Sequence, residues 1–160
     1  MSQYRIGFSE DIHPTRLGGK LVLGGVEIES SFGLVGHSDA DVVLHAVTES
    51  IFGALALGDL GSHFPDNDPK YKGTASSLFV LEAVKEMEKR GYEINNIDIQ
   101  IAAAKPKLAN YIESMRSNIA KLLKTEVENV SIKAMSFNNV GAIGEGKAIR
   151  AQAIVMLRKK

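Results

Sequence analysis

Apolar residues recur at helical spacing in three segments of this chain. Between Ser38 and Gly58 they return every third or fourth position, with Ser38 and Asp41 in a capping-box relation and the glycine as a stop signal. The same spacing predicts a second helix from about Ser76 to Arg90 and a third from about Pro106 to Leu123.

Shorter segments alternate apolar and polar positions or are rich in β-branched residues, which is typical of strands. The predicted strands are residues 4–8, 20–28 with a hairpin-like turn near Gly24 and Gly25, 97–104, 130–136 and 148–157. Together with the helices they predict one α/β domain over residues 1–160, an α+β sandwich with helices packed on one face of the sheet. The last strand alternates only partly, which fits an oligomer that buries both sheet faces.

The composition narrows the possible functions. The chain has 19 basic and 19 acidic side chains, so no overall charge attracts it to nucleic acid or to an anionic membrane. It has no cysteine, so a bound metal would need histidine and carboxylate ligands. No segment is apolar enough for a signal peptide or a membrane span, which predicts a cytoplasmic protein with neither a nucleic-acid nor a membrane partner.

Metal-ligand residue types are concentrated in two short segments. Asp11 and His13 are two positions apart beside the first strand, so in extended backbone both side chains leave the same face. His45 would add a third ligand if its helix packs beside that strand, and two histidines with one carboxylate are typical of a catalytic zinc site with an open fourth position. The alternative is that Asp-x-His occurs by chance and that Asp41 and His45 form a hydrogen-bonded helix pair.

Other polar residues have simpler explanations. Ser38 and Asp39 are typical N-capping residues, whereas capping leaves His37 unexplained. His63 is given no role. Lys105 and Lys107 could meet phosphates or be solvated surface groups, and the glycine-rich segment NNVGAIGEG could be a phosphate loop or a plain turn.

Four motifs in order give the chain a resemblance to a known family. They are DIH at 11–13, HSDADVVLHA at 37–46, ALGDLGSHFPDNDPKYKG at 56–73 and AAAKPKL at 102–108. Over essentially its whole length the chain resembles the 2-C-methyl-D-erythritol 2,4-cyclodiphosphate synthases. The resemblance implies a mixed sheet of ferredoxin-like or cyclodiphosphate-synthase-like type and a homotrimer with active sites between subunits.

The resemblance also implies an activity in isoprenoid precursor biosynthesis by the non-mevalonate pathway. The enzyme would convert 4-diphosphocytidyl-2-C-methyl-D-erythritol 2-phosphate into 2-C-methyl-D-erythritol 2,4-cyclodiphosphate and CMP by intramolecular phosphoryl transfer. It would use one Zn²⁺ per subunit, and Mg²⁺ or Mn²⁺ would accompany the substrate. A weakened or inactive homologue that binds a cytidine nucleotide or a prenyl diphosphate, and an unrelated zinc hydrolase, are the alternatives.

Site residues are implied by the same resemblance. Asp11, His13 and His45 would bind zinc, and the catalytic segment of His37 and Ser38 would close over the substrate phosphates. The remaining substrate-binding positions are Asp59, Gly61 and Asp66 around the sugar, and Ala103, Ala104, Lys105, Pro106, Lys107, Lys133, Met135 and Ser136 around the cytidine and its phosphates.

The chain departs from the family pattern after Lys133 and Ala134 in the predicted strand 130–136. Asn138 occupies the position of a glutamate that binds the second metal, and a neutral amide is a much poorer ligand for a divalent cation. Met135 replaces a threonine. Glu145 and Lys147 take the positions of an arginine and a glutamate in an ungapped alignment, and Ala142 takes that of a phenylalanine near the trimer axis. These changes leave the second-metal site in doubt.

Overall fold

Seven strands and five α-helices make up the computed structural model, which describes all of residues 1–160. The strands are β1 (Tyr4–Leu17), β2 (Leu21–Leu23), β3 (Val26–Ile28), β4 (Phe32–Leu34), β5 (Tyr92–Ala102), β6 (Val130–Met135) and β7 (Ala148–Lys159). The helices are α1 (Val42–Ala54), α2 (Leu60–His63), α3 (Ser77–Lys89), α4 (Ile112–Leu123) and α5 (Gly141–Gly144).

Five strands form one mixed sheet in the order β4-β1-β7-β5-β6. Only β5 and β6 are parallel, and α4 lies in the connection between them, as a parallel pair requires a crossover. β2 and β3 form a separate hairpin that turns at Gly24 and Gly25. The structure therefore confirms the predicted mixed sheet and hairpin.

The long helices cover one face of the sheet and leave the other open. On β5, Ile97, Ile99 and Ile101 are buried in the main core, whereas Asp98 and Gln100 between them point to the open face and are partly exposed. This alternation is the period of two expected for a sheet that is covered on one side. The predicted packing of helices on one face is confirmed.

α1 lies directly on β1, and a glycine makes this contact possible. A Cβ atom on Gly7 would lie 1.8 Å from the backbone oxygen of Ser50 and 2.6 Å from the backbone nitrogen of Ala54. Further along, the Ser9 hydroxyl donates to Glu49 at 3.0 Å. Two residues of a strand span about 6.6 Å and four residues of a helix about 6 Å, so successive inward positions of β1 meet successive turns of α1.

The hairpin is attached to the start of α1 by one carboxylate. Asp41 is the N-cap residue, and its side chain accepts from Leu44 N at 3.0 Å, Gly24 N at 2.9 Å and Gly25 N at 2.7 Å. Burial raises the pKa of Asp41 to about 6, although these backbone donors act to lower the pKa. The prediction of Ser38 as the capping residue was wrong, because α1 begins four positions later.

Several other elements differ from the prediction, including β5, which spans Tyr92–Ala102 instead of residues 97–104. β1 runs to Leu17 instead of ending near residue 8, because its inward positions beyond that point are polar and do not show an apolar alternation. β4 (Phe32–Leu34) was missed because it has only three residues. α4 begins at Ile112 instead of Pro106, since the cis Lys105–Pro106 bond and a 3₁₀ turn at Ala109–Tyr111 precede it.

Short helical turns replace parts of two predicted loops. α2 lies within residues 57–73, and α5 lies within the glycine-rich segment. The helix predicted from Ser76 to Arg90 is confirmed as α3. None of the helices is both long enough and apolar enough to span a lipid bilayer.

Candidate metal centre

The packing of α1 on β1 brings the three predicted metal ligands together. Asp11 and His13 are consecutive inward positions of β1, and His45 is one turn before Glu49 on α1. The Asp11 Oδ2 atom lies 2.8 Å from His13 Nε2 and 3.0 Å from His45 Nδ1. Ligand atoms of all three residues lie within 4.8 Å of one another, and no other group of three such residues in the chain converges in this way.

The hydrogen bonds of His13 identify the ring nitrogen that faces the candidate metal position. Its Nδ1 atom lies 2.7 Å from the carbonyl oxygen of Val35. A carbonyl can only accept, so Nδ1 carries a proton and Nε2 is the nitrogen available to a metal.

The ring of His45 is held on its other side by hydroxyl groups. Its Nε2 atom lies 2.8 Å from Ser76 Oγ and 3.1 Å from Ser38 Oγ. Ser76 Oγ in turn donates to Asp39 Oδ1, and the backbone nitrogen of Ser76 donates to Asp39 Oδ2 at 3.0 Å. The Asp41 side chain bonds to the hairpin and to Leu44, so the alternative of an Asp41–His45 side-chain pair was wrong.

Asp11 and His13 each shift the pKa of the other in the direction that favours its charged form. Burial alone would raise the pKa of Asp11, but hydrogen bonds from His13 and His45 and the charges on those rings outweigh burial and hold the pKa well below its ordinary value. Burial alone would lower the pKa of His13, but the hydrogen bond and negative charge of Asp11 raise the pKa above its ordinary value. Both hydrogen bonds between a ring and Asp11 require a proton at the position that a cation would occupy.

The donor set fits a zinc ion with an open coordination position. Two imidazole nitrogens and one carboxylate oxygen are the ligands of catalytic zinc sites, in which a fourth position takes water or substrate. His45 is nearly buried at 8% side-chain exposure, while Asp11 at 30% faces a cleft. The open position would therefore point into that cleft.

The cleft beside the cluster has a volume of about 390 Å³. Four residues that were predicted to contact the phosphates and sugar line it: His37, Ser38, Gly61 and Asp66. Asp59 is absent from the wall. Its carboxylate caps α2 by accepting from Ser62 N at 2.8 Å, and these hydrogen bonds lower the pKa of Asp59.

Loops on both sides of the cleft are tied together by His37. Its Nε2 atom lies 2.9 Å from the carbonyl oxygen of Asp68, and its own carbonyl accepts from Gly73 N at 2.8 Å. Glu49 supports the same wall, since its Oε2 atom accepts from Leu60 N at 3.0 Å. His63, which was given no role, stacks on Phe52 with ring centroids 4.0 Å apart.

A second pocket, of about 200 Å³, collects most residues predicted to hold the cytidine group. Its predicted members are Ala103, Ala104, Pro106, Lys107, Met135 and Ser136, and Leu108, Ala109 and Ala134 also line it. Lys105 is outside the wall. Lys133 points to the open face of the sheet, where its Nζ atom lies 2.7 Å from Asp98.

The segment around Asn138 does not provide a site for a second cation. Phe137, Asn138 and Asn139 all have positive φ angles, and the backbone nitrogen of Asn138 donates to Ser136 Oγ at 3.3 Å. The nearest acidic residue in sequence, Glu145, is paired with Lys147 at 2.8 Å. The residues at this position therefore do not fit a divalent cation held by the protein.

Several residues of the site were missed by the sequence analysis. Phe64, Tyr71 and Phe79 form aromatic walls of the cleft, and their sequence pattern indicated only core or loop. Ser76 contacts His45, but its position just before α3 indicated a helix start and nothing more. Asp39 was interpreted as a capping residue of α1, whereas its carboxylate accepts from the backbone nitrogen and hydroxyl of Ser76, the residue just before α3.

Comparison with known proteins places this arrangement in a family. The model of the YgbB family matches residues 4–158, which include every residue of the metal cluster and both pockets. The chain belongs to the YgbB family.

Relatives of this chain match it over nearly its whole length. It is 52% identical to a 2-C-methyl-D-erythritol 2,4-cyclodiphosphate synthase of Brachyspira hyodysenteriae over 97% of this chain and 98% of the relative. A solved IspF of Plasmodium falciparum in complex with CDP is 34% identical, with a TM-score of 0.87 over 98% and 97% of the two chains. The bifunctional IspDF of Campylobacter jejuni gives a TM-score of 0.94 at 34% identity, and this chain spans 42% of that protein.

Proposed function

We propose that this chain is a 2-C-methyl-D-erythritol 2,4-cyclodiphosphate synthase that closes the ring of 4-diphosphocytidyl-2-C-methyl-D-erythritol 2-phosphate and releases CMP. The single observation that carries this proposal is the convergence of Asp11, His13 and His45 on one point at the edge of a cleft. Relatives with this name match nearly the whole chain, which supports the same assignment.

The reaction needs alignment more than it needs a protein nucleophile. An oxygen of the 2-phosphate forms a bond to the β-phosphorus, while the bond from that phosphorus to the oxygen bridging to the α-phosphate breaks and CMP leaves with the electron pair. When bound, zinc would polarise the β-phosphate and offset its charge. Holding the reacting groups in line could supply a large part of the ~7–11 kcal/mol available from pre-organisation.

The cleft residues would hold the substrate in this folded conformation. Ser38 lies between His45 and the cleft, so its hydroxyl and the ring of His37 can face the phosphates on one side. Asp66 lines the opposite wall and can accept from the sugar hydroxyls, and Gly61 leaves that wall free of a side chain. Lys107 in the second pocket can pair with a phosphate of the nucleotide.

No step is assigned to a protein-bound second cation. Asn138 offers an amide oxygen where a carboxylate would be required, and Glu145 is committed to Lys147. This departure favours one alternative, a homologue that binds cytidine nucleotides with little or no turnover. An assay of the reaction products distinguishes cyclisation from nucleotide binding without turnover.

A homotrimer would complete the site. One substrate molecule carries both the cytidine group and the diphosphate, yet in one chain the metal cleft and the second pocket share no residue. β7 and β5 lie between β1 and β6, and three strand spacings correspond to about 14 Å. The cytidine pocket of one subunit beside the metal cleft of its neighbour would bring the two halves together.

The open face of the sheet has the apolar surface that such an assembly needs. Ile6, Phe8, Ile12 and Ile154 are each more than half exposed there. Phe8 and Ile154 are register partners on neighbouring strands, and Ile6 is the next outward position of β1, so these three residues form one continuous patch. The hydrogen-bonded pair Glu10 and Gln152 separates this patch from Ile12. A contiguous patch of this kind is typical of an interface between protein chains.

The function is tested by incubating the zinc-loaded protein with the cytidyl substrate and following the products by ³¹P NMR. The proposal predicts equal amounts of CMP and the cyclic diphosphate. Binding of CDP without CMP release would support the nucleotide-binding homologue. Release of a linear phosphate product would support a hydrolase and contradict the cyclisation.

A further inference from the structure

We propose that Asp39 and Ser76 act as a pair of positioning residues that keep the proton of His45 on Nε2 and so leave Nδ1 free to bind the metal. The inference deepens the proposed metal site and rests on the assignment of Asp11, His13 and His45 as its ligands. It concerns two residues that contact neither the metal position nor the substrate directly.

The direction of each hydrogen bond follows from the chemistry of Asp39. An ionised carboxylate can only accept, so the hydroxyl proton of Ser76 is given to Asp39 Oδ1. Ser76 Oγ then has only lone pairs to offer to its neighbours. His45 Nε2, 2.8 Å away, must donate to it and therefore carries the proton of the neutral ring.

The proton on Nε2 determines which ring nitrogen faces the metal. With Nε2 protonated, only the proton on Nδ1, which lies 3.0 Å from Asp11 Oδ2, can give way to a metal. His13 shows the mirror arrangement, since the carbonyl of Val35 holds the proton on Nδ1 and leaves Nε2 toward Asp11. A metal that displaces the two protons shared with Asp11 therefore meets both nitrogen lone pairs at one position.

The packing around Ser76 holds the pair rigidly. Ser76 is fully buried, and its side chain makes no capping bond to α3, so the hydroxyl is free for His45 and Asp39. The carboxylate is fixed from two sides, because it also accepts from the backbone nitrogens of Ser76 at 3.0 Å and Asp41 at 3.1 Å. Ser38 Oγ is the only other group on His45 Nε2, and at 3.1 Å it can accept the same proton.

The substitution Asp39→Ala tests the inference because it removes the carboxylate to which the Ser76 hydroxyl donates. An asparagine would be a poorer test, because Oδ1 also accepts from Asp41 N and Oδ2 from Ser76 N, so a single amide oxygen could face either side. The serine proton is then free to turn toward His45 Nε2, which favours protonation of Nδ1 and removes the metal-binding lone pair. Zinc affinity should fall about 10- to 100-fold, the usual loss for a partner of a metal ligand.

The experiment measures zinc affinity by competition with a chromophoric chelator, together with histidine ¹⁵N shifts in the zinc-loaded protein. In the wild-type protein the shifts should show His45 bound through Nδ1 with Nε2 protonated. The matched control is Ser50→Ala, which removes another fully buried serine hydroxyl, bonded to Val47 O, and should leave zinc affinity unchanged. A purely structural role of Asp39 would lower the free energy of unfolding and leave the His45 signals in place.

The possible outcomes separate this inference from the proposed function. Absence of zinc binding by the wild-type protein would reject the metal site itself. Zinc bound through His45 Nε2 in the wild type, or equal zinc affinity in Asp39→Ala and wild type, would reject the positioning role while leaving the metal site intact. Ser76→Ala, which removes the hydroxyl partner of His45 Nε2, is the second variant and should show the same loss of zinc affinity even if Asp39→Ala fails to fold.

Discussion

Asp11 is shared by both imidazole rings, and this sharing explains how three polar side chains are stable together without a metal. Its Oδ2 atom lies 2.8 Å from one ring nitrogen and 3.0 Å from the other. A bound cation replaces the protons in these contacts and keeps the same geometry. The cluster is therefore arranged for a metal before the metal arrives.

Removal of any one ligand should abolish both zinc binding and turnover. Asp11→Asn, His13→Ala and His45→Ala each leave only two donors, so zinc affinity should fall by more than about 100-fold, which exceeds the loss for a partner of a ligand. Metal content after dialysis and CMP release would be measured on the same samples. Full turnover in any of the three variants would show that the metal is held elsewhere.

Zinc affinity should decrease as the pH falls. A metal binds only the unprotonated nitrogens, and the neighbouring Asp11 outweighs burial and raises the pKa of His13 above its ordinary value. Protons therefore compete with zinc already near neutral pH, and the apparent affinity should drop about tenfold per pH unit below the pKa for each proton displaced. Chelator competition between pH ~8 and ~5.5 checks this, and an affinity that does not vary with pH would contradict it.

At the scale of elements, the contact between β1 and α1 decides where the site forms. Gly7, Ser9 and Asp11 are successive inward positions of the strand, and they meet Ser50, Glu49 and His45 of the helix. The same close approach that buries α1 in the core also brings His45 to Asp11. Packing and function are therefore coupled through one pair of elements.

Gly7→Ala should destabilise the protein, because the new methyl group would overlap the backbone of α1. Overpacking typically costs ~1–3 kcal/mol, and moving α1 should also lower zinc affinity. Gly53→Ala is the matched control, since a Cβ there meets only Phe8 O at 3.8 Å and alanine favours a helix by up to about 1 kcal/mol. Urea unfolding of both variants tests the contact, and equal stability of Gly7→Ala and wild type would contradict it.

The periodicity of the sequence predicted the elements that pack the core. It did not predict the full length of β1, the strand that carries Asp11 and His13. α1, α3 and the alternating strand β5 were found because their inward positions are apolar. β1 was cut short because Ser9, Asp11, His13 and Thr15 face inward as polar residues, which removes the alternation. The polar candidate site residues are therefore the reason why the full length of this strand was not predicted.

The candidate metal ligands were accessible to sequence analysis, whereas their hydrogen-bond partners were not. Asp11 and His13 are two positions apart, so extended backbone alone places them on one face. Ser76 and Asp39 are 37 residues apart and meet only through the packing of α3 against the start of α1. No local pattern distinguishes such a serine from an ordinary residue at a helix start.

At the scale of the whole molecule, the open face of the sheet is the surface on which the proposed trimer would assemble. A trimer built on this face would bury the apolar patch and bring the two half-sites together, so activity should depend on association while zinc binding within one chain should not. Exchange of subunits between trimers would therefore show whether a neighbouring subunit completes the active site.

Phe8→Asp should dissociate the oligomer and abolish turnover while leaving zinc bound, because a charge in the centre of a buried apolar patch is strongly unfavourable. Leu78→Asp is the matched control, since Leu78 is 57% exposed, close to the 56% of Phe8, but lies on α3 on the other side of the molecule. Light scattering and CMP release would be compared for the two variants. A Phe8→Asp protein that remains oligomeric, or an active monomer, would contradict this assembly.

The most direct test of the whole account is a zinc titration of the metal-free protein with the cytidyl substrate present, with products followed by ³¹P NMR. Formation of CMP and cyclic diphosphate should rise in proportion to added zinc and level off at one zinc ion per chain. Full product formation in the presence of excess chelator, or a linear phosphate as the main product at any zinc level, would contradict a zinc-dependent cyclisation at Asp11, His13 and His45.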